Sequence, residues 1–221
     1  RAAAEVREHL QGRTLTGLVN NAGIAVPGPL LHLPVDDFRH QLEVNLVGPF
    51  RVSQAFAPLL GADRSLAGEP GRIVQISSVG GKIGGPFLGA YCASKHGLEG
   101  MSESLRRELL IYGIDVIVVG PGAVVTPIWD KAEKQGNPYR DTDFGPSIDH
   151  YAPLMAAGGR SGLPVERVAE VVWTALTHPS PKVRYAIVPK PFRERFLATI
   201  LPKRVLDRGI ARGLKLERVR D

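Results

Sequence analysis

With one cysteine, Cys92, in 221 residues, the chain has no intramolecular disulfide framework, and a reducing compartment, the cytoplasm, is the expected setting. Aromatic residues make up only 6%, so the core must be built from Val, Ile, Leu and Ala. No apolar run is long enough to cross a bilayer as a helix; Ile114 to Val125 is interrupted by Asp115, Gly120, Pro121 and Gly122. The six histidines, at positions 9, 32, 40, 96, 150 and 178, show no metal-ligand spacing. Gly80-Gly81-Lys82 lacks both the Gly-x-x-x-x-Gly prelude and the following Ser or Thr of a phosphate loop. A content of 43% hydrophobic and 23% charged residues excludes disorder and collagen-like structure.

The net charge of +6 is unevenly placed. Residues 190–221 hold ten Lys and Arg against four Asp and Glu, which leaves residues 1–189 neutral. There is no zinc-finger spacing and no basic stripe interleaved with aromatics, so nucleic acid is not an expected partner. The basic C-terminal stretch is either a solvated helical extension of the domain or a peripheral contact with an anionic membrane. Residues 1–189 are read as one domain, with 190–221 as its basic helical extension.

Apolar runs alternate with helical periodicity along the chain. Arg1 to Leu10 reads as a helix, Leu15 to Val19 as a strand, and Val35 to about Leu60 as a helix. Arg72 to Ile76 is a β-branched strand, Gly80 to Gly89 a glycine-rich loop, and Ala90 to Tyr112 a long helix. Ile114 to Val119 gives a third strand and Arg184 to Val188 a last one, with Pro164 to Thr177 as the helix between. The stretch from Pro121 to about Gly162 is polar, rich in Pro and Gly, and reads as a functional loop. Near-continuous apolar strands mark a parallel sheet covered on both faces, so the expected class is α/β, a doubly wound, Rossmann-like parallel sheet.

Three strands end in small or amide-bearing residues: Asn20-Asn21-Ala22-Gly23, Ser77-Ser78 and Pro121-Gly122. Open α/β sheets bind ligands beyond the carboxyl ends of their strands. Tyr91 and Lys95 share one helix face four residues apart. A phenol titrates near 10, so its use as a base at neutral pH requires roughly 4 kcal/mol of help from a nearby cation. Lys95 is placed to give it. Alone, this spacing occurs by chance on many helices, and Ser77 equally well only starts a loop.

Taken together, Asn20-Asn21-Ala22-Gly23, Asn45-Leu46-Val47-Gly48, Ser78, Tyr91, Lys95 and Pro121-Gly122 followed by Thr126 resemble the short-chain dehydrogenase/reductase family. The stretch from Ser78 through Tyr91-Cys92-Ala93-Ser94-Lys95 to Glu108-Leu109 looks most like the retinol and 17β-hydroxysteroid dehydrogenase branch. The resemblance implies an NAD- or NADP-dependent oxidoreductase interconverting an alcohol and a carbonyl. It makes Tyr91 the general acid/base, with Lys95 lowering its pKa and holding the ribose hydroxyls. Ser78 would orient the substrate oxygen, and Asn45 would hold a water leading from Lys95 to solvent; a helix-bending Asn45 is the alternative. Asn21, Ala22 and Gly23 would lie along the adenosine side of the cofactor, and Pro121, Gly122, Val124 and Thr126 at its nicotinamide end.

The segment after Thr126 covers the substrate in this family, and Ile128, Trp129, Tyr139, Phe144, Tyr151, Leu154 and Met155 suggest an apolar alcohol or ketone of steroid, retinoid or lipid type. The alternative is that these residues pack the loop onto the domain. Cys92 is read as packing. The family begins with a strand, a Gly-x-x-x-Gly-x-Gly turn and a helix that this sequence does not contain, so an N-terminal truncation of roughly 70 to 80 residues ahead of Arg1 is expected. Two readings remain: a piece of a working enzyme that assembles as a homodimer or homotetramer through its two long helices, or a non-catalytic remnant acting as an oligomerisation or binding module.

Overall fold

The computed structural model describes residues 1–127, 136–188 and 202–216. Four parallel strands, β1 (Gly17–Asn20), β2 (Arg72–Ile76), β3 (Asp115–Pro121) and β4 (Arg184–Ile187), lie side by side in chain order. Seven α-helices accompany them among the described residues: α1 (Ala2–Leu10), α2 (Val35–Leu42), α3 (Gly48–Phe56), α4 (Gly89–Glu108), α5 (Gly145–Arg160), α6 (Val165–Thr177) and α7 (Lys203–Gly213).

Side chains of a strand alternate between faces, and here both faces are apolar and covered. Ile73, Val116 and Ile114 meet Leu60, Leu105 and Leu109 on the side of α4. Val74, Ile117, Val119 and Ile187 meet Val168, Val171, Val172 and Ala175 of α6 on the other. The sheet is thus doubly wound, as the continuous apolar strands imply.

Three expectations are corrected. The first strand begins at Gly17, not Leu15, because Leu15 donates its backbone N–H to Leu59 and only Gly17 enters register with Arg72. The helix expected from Val35 to about Leu60 is broken by a π-turn at Glu43–Val47 and a second at Pro58–Ala62. Pro49 cannot donate to the Asn45 carbonyl four residues earlier, so the regular ladder fails there. The Pro- and Gly-containing stretch expected as loop holds the sixteen-residue helix α5; its Pro146 is tolerated in the first turn. Ile128, Trp129 and, of the basic extension, residues 190–201 and 217–221 lie outside the described residues.

Candidate active site

The carboxyl ends of β1, β2 and β3 meet the first two turns of α4, and the sequence-predicted site residues collect there. Gly89 opens α4, so Tyr91 and Lys95 fall on its first and second turns, facing the end of β2. The Lys95 ammonium is buried and donates to the Ile76 carbonyl at 2.8 Å. It stands 5.8 Å from the centre of the Tyr91 ring. Ser78, just past β2, is buried, accepts a hydrogen bond from the Gly80 N–H at 3.1 Å and lies beside the Tyr91 phenol, whose ionisation it favours.

Electrostatics here differ from the expected lowering of the phenol by Lys95. Burial raises the Tyr91 phenol above its ordinary value, the neighbouring Ser78 opposes that, and the Cys92 thiol adds to the rise. The same desolvation lowers Lys95 from its ordinary 10.5 to about 8. Both groups are held toward their neutral forms by a low-dielectric site.

Asn45 is fully buried in the middle of the π-turn. Its amide accepts from the Ile24 N–H at 2.9 Å and donates to the Ile24 carbonyl at 2.9 Å and to Ser94 Oγ at 3.1 Å. Gln41, one helical turn earlier and equally buried, accepts from the Val26 N–H and donates to the Ile24 carbonyl, each at 2.8 Å. These two amides pin the turn after β1, which carries the exposed Asn21, Ala22 and Gly23, against α2 and the π-turn that follows it. A Cβ on Gly23 would stand 3.3 Å from Asn45 Oδ1 and 3.7 Å from Lys95 Nζ. Gly23, Asn45 and Lys95 therefore line one recess.

Pro121 closes β3, and the Gly122 N–H donates to the Ile187 carbonyl at 2.8 Å. The following residues are zipped to the start of α6: Val124 bridges Leu163, and Leu163 donates to the Ala123 carbonyl at 2.8 Å. Pro121 and Gly122 lie at the carboxyl end of β3, and Val124 and Thr126 follow them along that seam. Cys92 packs as expected, buried, with its sulfur accepting from the Gly85 N–H at 3.5 Å.

The recess suits a nicotinamide nucleotide. Lys95 has three N–H donors, and among the described residues one is used, which leaves two for a ribose diol. The bare Gly23 permits close approach of a ligand to the backbone.

Comparison with known proteins agrees. Residues 1–137 match the short chain dehydrogenase family. The chain belongs to that family. Short-chain dehydrogenases are oxidoreductases, and NAD or NADP is the cofactor of the type. The chain is 39% identical over 97% of its length, and 76% of the relative's, to an NADPH-dependent 3-dehydrocapnine reductase of Ornithobacterium rhinotracheale. It is 43% identical to mouse retinol dehydrogenase 16 over 60% of this chain and 40% of that one. Its fold superposes on a short-chain dehydrogenase/reductase from Burkholderia phymatum solved in complex with NAD, with a TM-score of 0.68, 26% identity and coverage of 94% of this chain and 72% of the other.

Residues the sequence reading missed are Gln41, Ser94 and Glu99. Two of them stand a full turn from a recognised residue, Gln41 from Asn45 and Glu99 from Lys95, while Ser94 adjoins Lys95. Periodicity could have marked the first two as continuing a buried polar stripe.

Proposed function

We propose that this short-chain dehydrogenase interconverts a secondary alcohol and a carbonyl on an apolar small molecule, with Tyr91 as the proton-transfer group. The arrangement that carries the reading is Tyr91 and the buried Lys95 one turn apart on α4 at the carboxyl end of β2, with the buried Ser78 beside them. When bound, the nicotinamide supplies hydride chemistry. Tyr91 gives its proton to the carbonyl oxygen on reduction and takes it back from the alcohol on oxidation. Ser78 orients that oxygen, and Lys95 holds the ribose hydroxyls and passes the exchanged proton outward through a water at Asn45. The phenol is protonated at neutral pH, the form that donates to a carbonyl, and burial favours that form further.

An apolar substrate is supported by the ring cluster above the start of α4. Phe87 lies 6.1 Å from Phe144 and 6.0 Å from Tyr151, and His32 meets Phe144 edge-on at 5.7 Å. Tyr139 packs instead on Gly28, whose Cβ would stand 2.6 Å from the Tyr139 hydroxyl. The relatives' names, a 3-dehydrocapnine reductase and a retinol dehydrogenase, accord with a carbonyl or hydroxyl substrate. Residues 1–189 act in this reading as one domain with 190–221 as its extension. Assembly as a homodimer or homotetramer through the helical stretch of residues 35–60 and through α4, and a peripheral anionic-membrane contact through α7, belong to the same proposal. Exposed Phe50 supports the first, and exposed Arg204, Arg208 and Arg212 at four-residue spacing the second.

The test is turnover of apolar ketones with NADH and NADPH by the intact protein. Tyr91→Phe should lower kcat by at least about 100-fold while cofactor affinity stays within a few-fold; retained turnover removes Tyr91 from its role. A folded protein with neither nucleotide binding nor turnover would favour the non-catalytic binding module.

A further inference from the structure

The stripe on α4 that presents Tyr91 and Lys95 continues one turn further to Glu99, and this carboxylate is deeply buried, its side chain 7% exposed. Arg184 of β4 grips it with one edge of its guanidinium: Nε reaches the two carboxylate oxygens at 3.1 and 3.0 Å, and Nη2 donates to Oε1 at 2.9 Å. Lys82, in the turn after β2, pairs with Oε2 at 3.0 Å. Burial alone would raise the Glu99 carboxyl, but the hydrogen bonds from Arg184 and Lys82 outweigh it and hold the group below its ordinary value.

Two glycines make room for this cluster. A Cβ on Gly120 of β3 would stand 2.5 Å from Arg184 Nη2, so the guanidinium lies directly on the strand. A Cβ on Gly81 would stand 3.1 Å from Glu99 Cγ, 3.1 Å from the Lys95 carbonyl and 2.6 Å from Ser77 Oγ, so the turn Val79–Gly81 lies directly on α4. That turn begins at Ser78, and a Cβ on its Gly80 would stand 3.1 Å from Cε1 of the Tyr91 ring. A buried ion cluster of this kind adds little net stability over apolar packing, because desolvation offsets the Coulomb gain. What it does set is geometry, since a bidentate pair admits one orientation.

We propose that Glu99, held by Arg184 and Lys82, is a positioning residue: it locks the Ser78-bearing turn onto the helix that carries Tyr91 and Lys95. It touches no substrate and acts through Ser78 and Tyr91, so the proposal rests on the reading of those two as reacting groups. Lys82 is the strap on the turn's side and Arg184 the anchor in the sheet.

The experiment is steady-state kinetics of the intact protein with an apolar ketone and NADPH or NADH, comparing Lys82→Ala, Lys82→Arg and Glu99→Gln, with thermal melting of each. Lys82 is half-exposed, so its removal leaves the melting temperature nearly unchanged. The expected result is a kcat about tenfold lower in Lys82→Ala, with the cofactor KM within twofold, and recovery of most of that loss in Lys82→Arg. Glu99→Gln should lose more. A kcat within twofold of wild type in folded Lys82→Ala overturns the proposal, even if Glu99→Gln fails to fold; so does a loss that Lys82→Arg does not restore. Ser78→Ala and Tyr91→Phe, run alongside, separate the two levels. If they lose turnover while Lys82→Ala keeps it, positioning alone fails; if they keep turnover, or a folded wild-type protein has none, the reading of the site fails and the proposal with it.

Discussion

Asn45 holds both polar groups of one backbone unit: its Oδ1 accepts from the Ile24 N–H and its Nδ2 donates to the Ile24 carbonyl, each at 2.9 Å. A side-chain amide thus completes, from a helix, the pairing that a neighbouring strand would otherwise give the turn after β1. Gln41 repeats the device at Val26 while sharing the Ile24 carbonyl.

Asn45→Ala should therefore destabilise the protein by about 2 kcal/mol, because it leaves the partly buried Ile24 N–H without its acceptor. Gln41→Ala should cost a similar amount. The two share the Ile24 carbonyl, so the double variant should depart from additivity, which a double-mutant cycle by denaturant unfolding would show.

Lys95 gives the stability a particular pH dependence. Its folded-state value is about 8 against an ordinary 10.5, so between those two pH values the unfolded chain binds more protons than the folded one. Stability contributed at this position is lowest below about pH 8 and rises as pH climbs toward 10.5. The penalty below pH 8 is on the order of 3 kcal/mol. Lys95→Met should remove it: the variant should be more stable than wild type at pH 7, and the difference should shrink steadily above pH 8. Urea unfolding of both proteins across pH 7 to 10 measures this directly, and a difference independent of pH would contradict the burial argument.

Gly23 should tolerate Ala and resist Val. An Ala Cβ at 3.3 Å from Asn45 Oδ1 needs only a few tenths of an ångström of adjustment, whereas a branched side chain fills the recess beside Lys95. Nicotinamide fluorescence titration should show NADPH or NADH affinity nearly kept in Gly23→Ala and reduced at least tenfold in Gly23→Val, with both variants folded by circular dichroism.

Phe87 occupies the left-handed region, with φ at +62°, although it is bulky and buried. That conformation costs roughly 1 kcal/mol or more, and the ring contacts with Phe144 and Tyr151 offset it. Phe87→Ala should keep the strain and lose the contacts, lowering stability by about 2 kcal/mol or more. KM for apolar ketones should rise while that for small ketones changes little. Equal effects on both would remove the ring cluster from the substrate pocket.

The spacing put Tyr91 and Lys95 on one helix face, and it was the family resemblance that joined Ser78 to them; the α/β class and the three strand ends were legible in the residues alone, because sheet burial imposes apolar runs. The π-turns were not, since the effect of Pro49 on a helix depends on what replaces the lost hydrogen bond. Helix α5 was hidden because propensity disfavours Pro153, Gly158 and Gly159, and packing overrode it. Nor could the order of residues bring Arg184 to Glu99, 85 positions away, or Asn45 to Ile24 across 21. The chain by itself determined which chemistry is present and on which elements. Tertiary structure decided how that chemistry is tuned: only folding buries Tyr91 and Lys95 together in a low dielectric, where each is driven toward its neutral form, and only folding sets Ser78 against the phenol.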